Sequence, residues 1–178
     1  MIENCVVRNM TGSGLVFVAK TPDMTTQLSV SNSYFTDNRH HGIYIGTTTT
    51  GGVTASIDWV GICHNSEAGL FVDGNLAKGA LVVAVTDSVA ANNRVKGFLV
   101  ESSGAVSKLV LTRSTSASNN TGIQALGNNA SVWLAQSTVT GNATGFTFAA
   151  GGVIWSFRDN HMSDNAFNSG VLAISPLQ

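Results

Sequence analysis

The feature that most constrains this chain is a motif that recurs seven times: an asparagine, a glycine a few residues later, then an apolar stretch. The copies read RNMTGSGLVFV, DNRHHGIYI, HNSEAGLFV, NNRVKGFLV, SNNTGIQAL, GNATGFTF and DNAFNSGVLAI. Their glycines, Gly14, Gly42, Gly69, Gly97, Gly122, Gly145 and Gly170, are spaced 28, 27, 28, 25, 23 and 25 residues apart. A unit of that size cannot bury its apolar face alone and does so only by stacking on its neighbours. The period therefore specifies a solenoid.

Alignment on the asparagines at 9, 38, 65, 93, 119, 142 and 165 exposes columns. Ten residues earlier stand Leu28, Ala55, Val83, Leu109, Val132 and Trp155; eight earlier, Met1, Val30, Ile57, Val85, Leu111, Leu134 and Phe157; three earlier, Val6, Phe35, Ile62, Ala90, Ser116, Val139 and Met162. Polar residues alternate with them, the period of a strand with one buried face. The first and third residues after each glycine are apolar as well, from Leu15 and Phe17 to Val171 and Ala173. No stretch carries helical periodicity with capping signals. Each rung is expected to hold two or three short strands, stacked parallel and in register. Asparagine suits the corner because it tolerates left-handed backbone and its amide can bond to the next rung. Five residues before it, Asn4, Ser33, Ser88, Ser114, Ser137 and Asn160, broken by Val60, read as an inward polar ladder.

The bulk properties narrow the partners. At 178 residues, 1–178 is one domain with room for a sizeable core. A net charge of −1 offers no field for nucleic acid, and no apolar run reaches the ~20 residues of a membrane span. Cys5 and Cys63 lie two rungs apart, roughly 10 Å at ~4.8 Å per rung. That is too far for a disulfide, so both are expected free. The chain opens inside a repeat, IENCVVRN, with no export signal. It is expected either to start there or to be the C-terminal part of a longer secreted protein.

The phrases IENCVVRN, VSNSYFTDN, SNNTGIQALGNNASV, STVTGNATGF and GGVIWSFRDNHMSDN resemble the right-handed parallel β-helix repeat proteins of the pectate-lyase-like superfamily. The likeness is strongest to secreted bacterial members with no assigned activity. It covers essentially the whole chain and implies an all-β, single-stranded right-handed parallel β-helix of about seven rungs, extracellular in location. It implies no single activity, because the fold hosts lyases, hydrolases, epimerases and non-enzymes. The acidic calcium cluster that the resemblance would imply for a lyase is missing: seven Asp and three Glu are scattered along the chain. The Gly-His-Gly, Arg-Ile-Lys and Asp-Pro-His motifs of related hydrolases and epimerases are absent too. No catalytic residue, cofactor or metal ligand is assigned.

Two surfaces remain as candidates. Six residues before the asparagine stand Glu3, Asn32, Trp59, Asp87, Arg113, Gln136 and Asp159. As a binding groove, Trp59 would stack on a sugar ring and Arg113 would bond hydroxyls or carboxylates, with Asp87, Gln136 and Asp159 beside it. The plainer reading is an ion pair between strands. The second surface is the outward column Val16, Tyr44, Phe71 and Leu99, an apolar stripe that marks contact with something. The connections Lys20–Gln27, Thr47–Val53 and Asp73–Gly79 could instead fold over it. His40, His41 and His64 are expected at one exposed corner near Asp37. A solenoid also needs its ends covered. The first rung offers Leu15 and Phe17 with no helix before Ile2, and the C-terminus, Val171–Leu177, is short and apolar. The expectation is a structural or interaction module that forms a homodimer through its N-terminal rungs, Leu15, Val16, Phe17, Tyr44, Phe71 and Leu99 being the contact residues. The alternative is a carbohydrate-binding or carbohydrate-active protein whose partner is a polysaccharide.

Overall fold

The structure, a computed structural model, describes residues 1–175; Leu177 of the apolar C-terminal segment lies outside them. The described residues contain no helix. The chain winds through three parallel sheets. Sheet A stacks Ile2–Glu3, Thr26–Ser31, Val53–Asp58, Leu81–Thr86, Ser107–Thr112, Ala130–Ala135, Val153–Ser156 and Ala173–Ile174. Sheet B stacks Val6–Arg8, Tyr34–Thr36, Gly61–Cys63, Val89–Ala91, Thr115–Ala117, Thr138–Thr140 and His161–Ser163. Sheet C stacks Leu15–Ala19, Ile43–Thr47, Ala68–Asp73, Lys96–Glu101, Thr121–Leu126 and Thr144–Ala149. Six rungs are therefore complete and a seventh is partial, in line with the expected number of about seven. Among the described residues the seventh has no sheet C strand, and Phe167 makes one bridge to Thr144 instead.

The period-two columns set the core. Val30, Ile57, Val85, Leu111 and Leu134 are all buried, and so are Leu28, Ala55, Val83, Leu109 and Val132. In sheet B, Phe35, Ile62, Ala90 and Val139 fill the interior, and in sheet C, Ile43, Leu70, Phe98 and Ile123 do so. Identical columns meet because pairing is parallel and unshifted, as in Val85↔Leu111, Ala90↔Ser116 and Phe98↔Ile123.

At the corner from sheet B to sheet C the asparagines form a continuous ladder, buried from Asn38 to Asn142. Nδ2 of Asn38 donates to Oδ1 of Asn65 at 2.9 Å, Asn65 to Asn93 at 2.9 Å, Asn93 to Asn119 at 3.1 Å, Asn119 to Asn142 at 3.1 Å and Asn142 to Asn165 at 2.9 Å. Each Oδ1 also accepts the backbone N–H of the residue at the same place in the preceding rung, as Asn119 does from Asn93 at 2.9 Å. At the A-to-B corner the serine hydroxyls do the same: Ser88 accepts from Val60 N–H at 3.0 Å and Ser137 from Ser114 N–H at 3.2 Å. Every buried side-chain nitrogen and oxygen among the described residues has a partner, which is what makes a polar interior tolerable.

The terminal rungs correct the sequence alignment by one residue. Val7, not Val6, pairs with Phe35, and Ile2, not Met1, with Val30. Met10, not Asn9, takes the ladder position, donating its backbone N–H to Oδ1 of Asn38 at 3.2 Å. Cys5, not Asn4, heads the serine column. Asn9 instead occupies the left-handed position just before the ladder (φ 58°), shared by Asp37, His64, Asn92, Ser118, Gly141 and Asp164. Rung seven carries one extra residue: Ile154 pairs with Val132 and Ser156 with Leu134. Trp155 and Phe157 are thereby displaced from the interior columns assigned to them, and Trp155 stacks on Trp133 with ring centroids 5.3 Å apart. Cys5 and Cys63 are free.

Candidate functional site

The corner from sheet A to sheet B turns on one residue per rung held at positive φ: Asn4, Asn32, Trp59, Asp87, Arg113 and Gln136, all between 46° and 54°. Four of the five candidate binding residues are therefore corner residues on successive rungs. The first member is Asn4 rather than Glu3, and Nδ2 of Asn32 donates to its Oδ1 at 3.2 Å. In rung seven the extra residue gives the left-handed role to Arg158 (φ 69°). Asp159 still reaches the ridge, its Oδ1 accepting the backbone N–H of Gln136 at 3.1 Å.

Along that ridge Arg113 clasps Asp87 with both prongs, Nε to Oδ1 at 2.8 Å and Nη2 to Oδ2 at 2.7 Å. The guanidinium hydrogen bonds hold the Asp87 carboxyl below the usual carboxylate range, and the carboxylate raises Arg113 in turn. The two groups bind each other in a bidentate pair. Trp59 differs: it is 65% exposed. A bulky residue in the left-handed region is unfavourable, so this ring is both strained in backbone and open to solvent.

The outward column of sheet C is in register, Val16↔Tyr44, Tyr44↔Phe71 and Phe71↔Leu99. The expected exposed stripe is smaller than its sequence suggests. Val16 is 59% exposed, but Leu99 is 5% exposed, and Tyr44 and Phe71 are half-buried against each other with ring centroids 5.4 Å apart. The longer C-to-A connections bond to one another, Thr50 Oγ1 to Asp23 Oδ1 at 2.7 Å among them. Tyr44 lies over Gly46 and donates its hydroxyl to Asp73 Oδ2 at 2.8 Å. Burial, then the Asp73 hydrogen bond, pushes its pKa up to about 12.

His41 completes this cluster, with its ring edge-on to Phe71 at 5.1 Å. It does not join His40, His41 and His64 into a metal site. Glu67 takes both His40 (Nδ1 to Oε1, 3.1 Å) and His41 (Nε2 to Oε2, 3.0 Å), while His64 holds a left-handed corner position. Among the described residues no group of three His, Cys, Asp or Glu could hold a metal ion. Burial lowers the His41 pKa despite the Glu67 charge beside it. The backbone N–H of Ala68 donates to His41 Nδ1 at 3.2 Å, which requires that nitrogen unprotonated, so the neutral ring fits both observations. A cleft of about 230 Å³ opens beside it, lined by His41, Glu67, Ala68, Val95, Lys96 and Leu99.

Sequence reasoning missed two features. One is the Glu67 clasp, for which two histidines one rung away were the available signal. The other is an outward apolar column on sheet B, where Val6, Tyr34 and Val89 are exposed and Gly61 lies under the Tyr34 ring. Val6 is 66% and Tyr34 58% exposed. Its signal was alternation within three-residue strands, too short to stand out.

No family model matches the chain, and no curated protein or solved structure matches it.

Proposed function

We propose that this chain is a structural and interaction module, a solenoid that works by associating with a second copy through its first rung and not by catalysis. One observation carries the reading: an open edge coincides with a chemical stop. Ile2–Glu3, Val6–Arg8 and Leu15–Ala19 each end their sheet with one edge unpaired. Yet Met10 stands where rungs two to seven place the asparagine amide that accepts from the preceding rung. A further rung of the same kind would find a thioether, a weak acceptor, at that place. Burying a few hundred Å² of apolar surface there, at ~25 cal/mol per Å², favours association before its entropic cost. Light scattering across a concentration series, without detergent, is expected to give a dimer mass that Val16→Lys returns to monomer. A monomer at every concentration contradicts the reading.

The exposure and strain of Trp59 favour a second reading, a carbohydrate-binding corner in which Trp59 stacks on a sugar face beside Asn32 and the Asp87–Arg113 pair. Binding to a polysaccharide array that Trp59→Ala abolishes, with the fold intact, would establish it; no binding by the parent chain would remove it. On pectate, alginate and polygalacturonate, with or without calcium, the chain is expected to release no unsaturated or reducing ends.

A further inference from the structure

We propose that the rung-one strand of sheet C, Leu15–Ala19, is the seam of a two-fold dimer, pairing antiparallel with the same strand of a second copy about an axis through Phe17. This rests on the self-association proposed above and adds the partner strand, its direction and its register.

The strand pairs on one side only, with Ile43–Thr47. At five residues it is the longest of the three open edges of rung one. Its sequence, LVFVA, has no charge and no proline, so it carries none of the devices that protect an edge.

The strand is also complementary to itself. Leu15, Phe17 and Ala19 face the core, while Val16 and Val18 share the outward columns of Tyr44 and Gly46. A two-fold axis running radially through sheet C reverses the strand and leaves inside facing inside. Centred on Phe17, it sets Phe17 opposite Phe17, Leu15 opposite Ala19 and Val16 opposite Val18. A one-residue slip would put an inward side chain against an outward one, which a buried face does not tolerate.

The corners agree with that axis. Met10, at the corner entering the strand, and Met24, in the connection leaving it, lie seven residues either side of Phe17. Both are exposed. The two-fold sets the corner of one copy that bears Met10 against the corner of the other that bears Met24. It also explains the break in the asparagine ladder. An antiparallel copy brings no asparagine N–H to the Met10 position, so no acceptor is needed there. Rung one presents the edge of 18 residues from Ile2 to Ala19, near the ~20–30 residues a side of a standard interface.

Cysteine scanning tests the seam in a Cys5→Ser, Cys63→Ser background under mild oxidation. Residues directly opposite in an antiparallel pair have Cα atoms ~4.5–5.5 Å apart, within disulfide range. Phe17→Cys is expected to link most of the chain as dimers. Val16→Cys alone is expected not to link, because its symmetry mate lies about 7–8 Å away on the diagonal. An equimolar mixture of Val16→Cys and Val18→Cys is expected to link. These two positions face outward, so the mixture decides the matter even if Phe17→Cys fails to fold. A dimer by light scattering in which the mixture does not link, or Val16→Cys links to itself, overturns the seam and leaves self-association standing. A monomer by light scattering overturns both.

Discussion

Met10 gives its backbone N–H to Oδ1 of Asn38 at 3.2 Å and carries a thioether where the later rungs carry an amide. The ladder below it runs without interruption from Asn38 to Asn165. That asymmetry separates the rungs in which an asparagine serves two neighbours from rung one, where Met10 takes the asparagine's place.

Asn93→Ala is expected to be strongly destabilising. Oδ1 of Asn93 accepts from both N–H and Nδ2 of Asn65, at 3.1 and 2.9 Å, and its Nδ2 donates to Ile62 O at 2.9 Å. Removing the amide strands several buried groups, each costing about 1–3 kcal/mol. A loss of about 3 kcal/mol or more in urea unfolding is expected; a loss under about 1 kcal/mol would show that the ladder is ornamental.

Two glycines should respond differently to alanine. A Cβ at Gly97 would meet Gly122 O at 2.6 Å, Asn119 Nδ2 at 2.8 Å and the Ser116 hydroxyl, all in the packed corner. Overpacking of this kind costs about 1–3 kcal/mol. At Gly61 the atoms nearest the Cβ would be those of the Tyr34 ring, which is exposed and free to swing away. Thermal unfolding should lower the midpoint for Gly97→Ala and leave it nearly unchanged for Gly61→Ala.

The repeat period and the interior columns of rungs two to six were legible because each column repeats the same physical demand: inward, apolar and at fixed spacing. The terminal rungs were not, because a letter can recur for a different reason. Asn9 resembles the ladder asparagines, yet it sits one place earlier, where asparagine is favoured for its left-handed backbone. Phe157 looked like a core residue because an inserted residue is invisible without the register. The Asp87–Arg113 pair followed from column arithmetic alone. The burial of Leu99 did not, since its column otherwise faces outward.

Ultraviolet titration of Tyr44 should show ionisation near 12, and Asp73→Asn should bring it down. The sign of the stability effect follows. A group whose folded pKa lies above its unfolded value stabilises fully below the unfolded value, about 10. That contribution fades as pH rises from there toward 12. Unchanged Tyr44 ionisation in Asp73→Asn would show that the hydrogen bond does not matter to it.

The Asp87 carboxyl should titrate below the ordinary carboxylate range by NMR and return to it in Arg113→Ala. A depressed carboxylate stabilises above its unfolded pKa and loses that effect as pH falls through the folded value. Because the pair is exposed and screened by salt, the unfolding midpoint of Arg113→Ala near neutral pH should match the parent. A large drop there would mean the pair organises the corner.

The most direct test of end-to-end association is the shape of the particle in solution, measured by small-angle X-ray scattering. Six to seven rungs at ~4.8 Å each make a stack roughly 30–34 Å long. Joined through rung one, two copies should form a rod roughly 60–70 Å long with the cross-section of one solenoid. A dimer of unchanged length and doubled cross-section, or a single stack at every concentration, would contradict it.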